Sequence, residues 1–305
     1  MKFSTTVLAL AALYSADAFT VQAPKTVLQP LQSTPNGDVG FGMATSFNAP
    51  GPPVGAYSPT KAPVPFAPQT DNSKKTSQEA FDDITPVTVQ GGSLRTCSFD
   101  EGVGRVTVLL KTSGRPLNAN VELWQGPDNA PQKMSVYLED GSLRPFRATV
   151  ESTGSSNAIA IRNTGQMEFP LTAGLACDMS TDLGPSAMLL ETSESRIVQG
   201  GAVYTTPFPP AVQSVQIALK SDGRPLNARV ELLQGPNNNK QVMDIYTEDG
   251  QERPFFVIVD TPGSGNVVRI VNTATVEFPL NAAVEPYLVD DSFVDDSYSG
   301  ALNWS

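Results

Sequence analysis

The chain has 305 residues, with 26 Pro, 24 Gly and only 17% charged side chains, so much of it belongs to loops and linkers. Lys and Arg number 20 against 31 Asp and Glu, and the resulting formal charge of −11 argues against a nucleic acid partner, because phosphate recognition needs a basic face. There is no His, which removes the commonest general base and zinc ligand, and the two cysteines, Cys97 and Cys177, cannot by themselves hold a metal or staple a small scaffold.

Residues 1–18 carry one basic residue, Lys2, an apolar run from Val7 to Leu13, and a small-residue ending, Ala16-Asp-Ala18; these are the parts of a signal peptide. The run is too short for a permanent bilayer span, and no other stretch approaches 18 apolar residues, so a chain that does not span a membrane is expected. From Phe19 the chain is rich in hydroxyl groups and Pro, and its only acid before Asp71 is Asp38. The Ala18-Phe19 junction resembles that of bipartite presequences in algae with secondary plastids, which marks 19–45 as a transit-like segment; secretion is the alternative. Residues 46–86 read as a Pro-rich disordered linker, since no period of 2 or 3.6 persists there.

Beyond this point the sequence repeats itself. Val89-Gln-Gly-Gly92 recurs as Val198-Gln-Gly-Gly201, Gly114-Arg-Pro-Leu-Asn-Ala119 as Gly223-Arg-Pro-Leu-Asn-Ala228, and Gln125-Gly-Pro127 as Gln234-Gly-Pro236. Glu139-Asp-Gly141, Arg144-Pro-Phe146 and Glu168-Phe-Pro-Leu171 return as Glu248-Asp-Gly250, Arg253-Pro-Phe255 and Glu277-Phe-Pro-Leu280. Every pair is offset by 109 without a gap, and about half of the aligned positions are identical, which predicts two copies of one fold at 87–176 and 196–285, joined by a linker at 177–195.

Within a copy the apolar residues alternate: Val106, Val108 and Leu110; Val121 and Leu123; Met134, Val136 and Leu138; Ile159 and Ile161; Met167, Phe169 and Leu171. Period two, broken by Gly, Pro, Asn and Asp clusters, means short half-buried strands. The predicted class is all-β: two tandem homologous antiparallel β-sandwich-like domains between a disordered N-terminal region and an acidic, aromatic C-terminal tail at 286–305. Each copy has about 90 residues, so the pair is expected to share stabilising surface.

Polar residues kept in both copies are the candidate sites. Glu139-Asp-Gly141 reads as a hairpin turn rather than an acid/base pair, because neighbouring strand residues point to opposite faces and Asp-Gly favours a hairpin. Glu122 and Glu231 read as solvated outer-face residues. The Gly-Arg-Pro-Leu-Asn-Ala loop lacks the ending of a phosphate cradle. Backbone geometry accounts for its Gly and Pro but leaves Arg115, Leu117 and Asn118, with Arg224, Leu226 and Asn227, as candidate subunit contacts. The tail adds Tyr287, Phe293, Tyr298 and Trp304, large apolar side chains among Asp290, Asp291, Asp295 and Asp296, a pattern suited to ordering on a partner. Trp124 beside Gln125 would suit a carbohydrate platform, but its equivalent is Leu233. Cys97 and Cys177 correspond to Thr206 and Pro286, so no disulfide is required. No catalytic residue, cofactor or metal is predicted.

The targeting pattern, the Pro-rich spacer and the twice-occurring Gly-Arg-Pro-Leu-Asn-Ala, Val-Glu-Leu-x-Gln-Gly-Pro and Arg-Pro-Phe motifs resemble the diatom pyrenoid shell proteins over about 87–285. That resemblance implies a non-enzymatic structural protein that tiles with itself into a sheet around the Rubisco-filled pyrenoid, in the plastid stroma at the pyrenoid periphery, and supports CO2 concentration. Rubisco or pyrenoid matrix proteins are further partners it implies. The alternative reading is a plastid or secreted carbohydrate-binding module.

Overall fold

A computed structural model of the protein describes residues 74–290. The signal and transit-like segments, most of the Pro-rich segment, and Phe293, Tyr298 and Trp304 lie outside the described residues.

A short helix, α1 (Ser77–Asp82), precedes the first copy, whose strands are β1 (Val87–Val89), β2 (Leu94–Ser98), β3 (Arg105–Lys111), β4 (Leu117–Gln125), β5 (Asn129–Leu138), β6 (Phe146–Glu151), β7 (Asn157–Asn163) and β8 (Leu171–Asp178). A second helix, α2 (Pro185–Thr192), leads into β9 (Arg196–Val198), β10 (Val203–Pro207), β11 (Val212–Lys220), β12 (Leu226–Gln234), β13 (Asn239–Thr247), β14 (Phe255–Asp260), β15 (Asn266–Asn272) and β16 (Leu280–Val289). The alternating side chains predicted for β3, β4, β5 and β7 do line one buried face: along β5, for example, Gln132, Met134, Val136 and Leu138 point inward. Met167 and Phe169, predicted to alternate with Leu171, instead lie in the turn before β8.

The copies are not two separate sandwiches. They contribute to two continuous eight-stranded antiparallel sheets, ordered β1-β8-β3-β6-β14-β11-β16-β9 and β10-β15-β12-β13-β5-β4-β7-β2. Strand order is the same in both copies, and they meet where β6 pairs with β14 and β5 with β13. In these central ladders Ala148 faces Val257 and Ser135 faces Asp244, so each residue opposes its own equivalent 109 positions on. A pseudo-twofold axis therefore passes through both sheets. One apolar core runs between the sheets from end to end, with Phe146 and its equivalent Phe255 both fully buried.

The motifs shared by the copies explain the junction. Arg144 donates through Nη2 to Gln234 Oε1 at 3.1 Å, and Arg253 donates to Gln125 Oε1 at 3.2 Å. The Arg of each Arg-Pro-Phe thus reaches the Gln of the other copy's Gln-Gly-Pro, and both guanidiniums are buried. Main-chain bonds repeat the symmetry, from Glu139 N to Lys240 O at 2.9 Å and from Glu248 N to Pro131 O at 2.8 Å.

Other expectations need correction. Glu139-Asp-Gly141 is not a hairpin, because β5 and β6 lie in different sheets; Asp140 Oδ1 instead accepts from Ser142 N and Leu143 N, bending the chain from one layer to the other. The final part of the expected disordered segment forms α1, started by a capping box in which Thr76 and Glu79 satisfy each other's backbone N–H groups. The expected linker at 177–195 contains the end of β8 and all of α2, which has Pro185 at its first turn. The second copy does not stop at 285: β16 continues to Val289.

Both helices cover the outer face of the first sheet. Phe81 of α1 is buried beneath Lys111, whose Nζ lies 4.2 Å from the ring centroid, and Leu189 of α2 packs with Ala218, Phe256, Ile258 and Ala283. At their N-termini the helices reach across the axis. Ser77 Oγ donates to Asp260 at 3.0 Å, and Ser186 Oγ donates to Glu151 at 3.1 Å. Both pairs are equivalent by the 109-residue offset, so the structural repeat includes the helices.

Burial raises the pKa of Asp260 to about 6, against the opposing effects of the Ser77 hydrogen bond and of Arg147 and Arg144; burial also raises that of Glu151. A carboxyl group that holds its proton more tightly when folded makes the native state lose stability as pH rises from about 4 to about 6, with the penalty constant above. Asp260→Asn is expected to unfold at higher urea than the parent at pH 7.5, by roughly 1–3 kcal/mol, and to match it near pH 3.5. Urea titrations at the two pH values check this. Replacing Arg144 with Leu is expected to cost about 1–3 kcal/mol while keeping a single unfolding transition, because the sheets are shared.

Candidate functional site

The twice-occurring Gly-Arg-Pro-Leu-Asn-Ala loop enters β4 and β12, and the structure separates the roles of its residues. Leu117 and Leu226 are each 1% exposed and sit in the core, so they are not surface contacts. Arg115 and Arg224 are exposed, and each lies over a ring of the Glu-Phe-Pro-Leu motif of its own copy: Arg115 is 5.2 Å from Phe169 and Arg224 is 5.5 Å from Phe278. Arg224 Nη1 also donates to Glu277 O at 3.0 Å. The persistence of these arginines thus has a reason inside each copy. Asn118 and Asn227 lie on the outer face of the second sheet, and their carbonyl oxygens accept from Thr164 N and Thr273 N at 3.0 and 3.1 Å.

Two buried asparagines, not singled out in the sequence beyond their turn propensity, fix the loops carrying those rings. Asn163 Nδ2 donates to Val89 O and Phe169 O at 3.0 and 2.8 Å, and Asn272 Nδ2 donates to Val198 O and Phe278 O at 2.9 and 2.8 Å. Gly91 and Gly200 explain the shared Val-Gln-Gly-Gly: a Cβ on either would lie 1.8 Å from a carbonyl oxygen, of Gln166 or of Thr275, in the same loops. The loops are therefore held against the edge strands from both sides. Each projects one apolar side chain into solvent, Met167 at 82% exposure and its equivalent Val276 at 73%.

These features concentrate at the ends of the molecule. Strands β1 and β2 form the sheet edges at the first-copy end, and β9 and β10 form them at the second-copy end, where Ile197 and Val203 are also exposed. Edge strands beside exposed apolar residues are a template for another strand.

The remaining candidates are occupied within the chain. Tyr287 lies in β16, half-buried, with Lys74 and Arg147 at 5.4 and 5.5 Å from its ring, so it belongs to the folded body rather than to a free tail. Glu231 is not a solvated outer-face residue; it is 4% exposed and paired with Arg269. Trp124 is half-buried and its Nε1 donates to Glu122 at 2.7 Å, which ties the ring to the sheet surface. Cys97 is buried in β2 and Cys177 exposed in β8, strands of different sheets, and no disulfide joins them. Among the described residues no three metal-ligating side chains gather, and no helix is long and apolar enough to cross a membrane.

The described residues form an all-β body of two shared eight-stranded sheets with internal symmetry, ending in four edge strands. The family model for the diatom pyrenoid shell protein matches residues 77–286, more than half of the chain, and the chain belongs to that family. The match begins at α1 and so coincides with the structural repeat. No curated protein matches the sequence. Among solved structures the chain is similar to the PBSX exported protein XepA, at 10% identity over 66% of this chain and 85% of that one, with a TM-score of 0.22. It is also similar to a mutant of Bacillus subtilis oxalate decarboxylase OxdC, at 10% identity over 72% of each chain and a TM-score of 0.18, and to pumpkin pro-11S globulin, at 10% over 66% and 76% with a TM-score of 0.17. Likeness at that level carries no argument about fold or function.

The two residues of the shared loop should respond differently to truncation. Leu117→Ala is expected to destabilise the protein by about 2–5 kcal/mol, whereas Arg115→Ala should cost about 0.5–1 kcal/mol through its exposed ring contact. Chemical denaturation of the two variants measures the difference.

Proposed function

We propose that this protein is a non-enzymatic structural subunit that associates with copies of itself into a sheet enclosing the Rubisco-containing pyrenoid of the plastid, supporting pyrenoid shape and CO2 concentration. The observation that carries the reading is the family match over 77–286, which spans the double sandwich except for the end of β16. The arrangement of the edge strands supports self-association. Joining the copies pairs four strand edges at the centre and leaves β1, β2, β9 and β10 as the outermost strands of the described sheets, at opposite ends. A body with two similar ends, each with edge strands and a rigidly held apolar tip, can meet further copies in an operation that does not close, which gives extended arrays rather than small rings. The plastid address is part of the same proposal and rests on the family together with the Ala18-Phe19 junction. A fluorescent fusion of residues 1–45 is expected to reach the plastid, and a charged residue in place of Phe19 to stop it earlier.

The C-terminal segment is the second proposed connector, and the structure sets where to cut it. Truncation after Pro286 would remove part of β16, where Leu288 pairs with Ser214, whereas a stop after Asp290 leaves the strand whole. Burial of Phe293, Tyr298 and Trp304 on a neighbour would gain roughly 1.5–3 kcal/mol per side chain, against about 1–2 kcal/mol per ordered residue. Docking is therefore close to balance and sensitive to salt through the Asp residues of the segment. The chain ending at Asp290 is expected to stay folded and sediment as a small species, while the chain extending to Ser305 forms large particles seen by sedimentation and electron microscopy. Identical large particles from both would assign assembly to the strand edges alone.

A further inference from the structure

At Arg105 and Ser214, equivalent buried positions, the internal symmetry breaks, and a cavity lies beside the serine. In the first copy Arg105 of β3 stands opposite Glu151 of β6 on the outer face of the first sheet. Its guanidinium is 6% exposed and is fully engaged: Nε donates to Asp178 at 3.1 Å, Nη1 to Asp182 O at 2.8 Å, and Nη2 to Ser180 O and Oγ at 3.2 and 2.6 Å. The segment that closes over it passes so near that a Cβ on Gly184 would lie 2.8 Å from Arg105 Nη1 and 2.5 Å from Glu151 Oε1. In the second copy the position of Arg105 is taken by Ser214, opposite Asp260, and that of Gly184 by Lys75.

The place filled by a guanidinium in the first copy is therefore open in the second. A cavity of about 610 Å³ lies there, bounded by Ser214, Asp260, Gln213, Pro145, Pro210 and Leu288. Ser214 is 1% exposed, and its Oγ has no hydrogen-bond partner among the described residues. Asp260 receives Ser77 Oγ on Oδ1. Gln213 Nε2 donates to Asp290 at 3.2 Å on the rim, so the opening is also acidic.

We propose that this cavity is a binding site for the guanidinium group of an arginine side chain carried by another polypeptide. The polar floor matches the group, since a planar guanidinium offers several donors to a carboxylate and a hydroxyl at once. The proline and leucine walls match the methylene stem that such a side chain lays along apolar surface. The first copy supplies the precedent, because there the corresponding acid already lies beside an arginine that shares the outer face. An ammonium group, with a strongly hydrated point charge and no planar fork, fits the floor less well. The site does not depend on the shell reading: the arginine can come from a second copy of this chain or from a different protein.

The test uses the full chain and N-acetyl-arginine amide as probe, with N-acetyl-lysine amide for comparison, and follows thermal unfolding and calorimetric binding. The arginine probe is expected to raise the unfolding temperature in a saturable manner and to bind at least about tenfold more tightly than the lysine probe. Asp260→Asn, which retains an acceptor for Ser77 and should remain folded, is expected to lose most of that binding. Ser214→Arg, which restores the first copy's residue, should show no response to the probe. Adding saturating probe to assembled protein separates the sources: dissolution assigns the arginine to a second copy, and unchanged assembly with retained binding assigns it to a different protein. Absence of saturable binding, or equal binding by the parent, Asp260→Asn and Ser214→Arg, would overturn the proposal.

Discussion

Backbone hydrogen bonding across the pseudo-twofold axis is the constraint from which the rest of the architecture follows. A single copy of about 90 residues would be a small sandwich with four open strand edges, a marginal core and a strong tendency to pair with whatever strand it met. Pairing β5 with β13 and β6 with β14 closes half of those edges and merges two small cores into one. The reciprocal bonds from Arg144 to Gln234 and from Arg253 to Gln125 lock the register, because a slip by one residue would carry both buried guanidiniums away from their acceptors. The edges that remain lie at opposite ends of one body, which is the arrangement a self-extending subunit needs.

Much of this is written in the sequence, though unevenly. The gapless offset gives two copies of one fold, and the alternation of Val106, Val108 and Leu110 or of Met134, Val136 and Leu138 gives strands, since burial on one face imposes period two. What alternation does not encode is which edge meets which. The sequence states that Gln125 and Arg144 survive in both copies, but a copy bonding to itself and a copy bonding to its twin leave the same trace. Two helices were legible and passed over: Thr76 and Glu79 have capping-box spacing, and Gly184-Pro185 marks a helix start, yet both lie in polar stretches whose composition suggested linker. At the candidate contacts the difficulty was one of parity. Leu117 and Asn118 are neighbours on one strand and so face opposite ways, the leucine into the core and the asparagine outward. Tyr287 shows the converse case, a residue attributed to a tail from its acidic company that the ladder of β16 keeps in the sheet.

The two copies also differ in instructive ways. Where Arg105 is held by the segment that follows β8, its counterpart Ser214 faces a cavity. The first copy is thus closed by the chain that links it to the second, whereas among the described residues the second retains a polar recess beside the final strand. Symmetry accounts for the stability of the junction. Its local loss marks the recess proposed to receive an arginine.

Hydrogen–deuterium exchange of the full chain, compared between dissociated and assembled states, tests the central claim most directly. The account predicts that amides of β5, β6, β13 and β14 exchange only through global unfolding in both states, while those of β1, β2, β9 and β10 are weakly protected when dissociated and gain protection on assembly. Rapid exchange in the central ladders of the dissociated protein would mean that the copies are separable domains. Unchanged exchange in the four outer strands, with new protection elsewhere, would contradict the edge-directed assembly proposed for this protein.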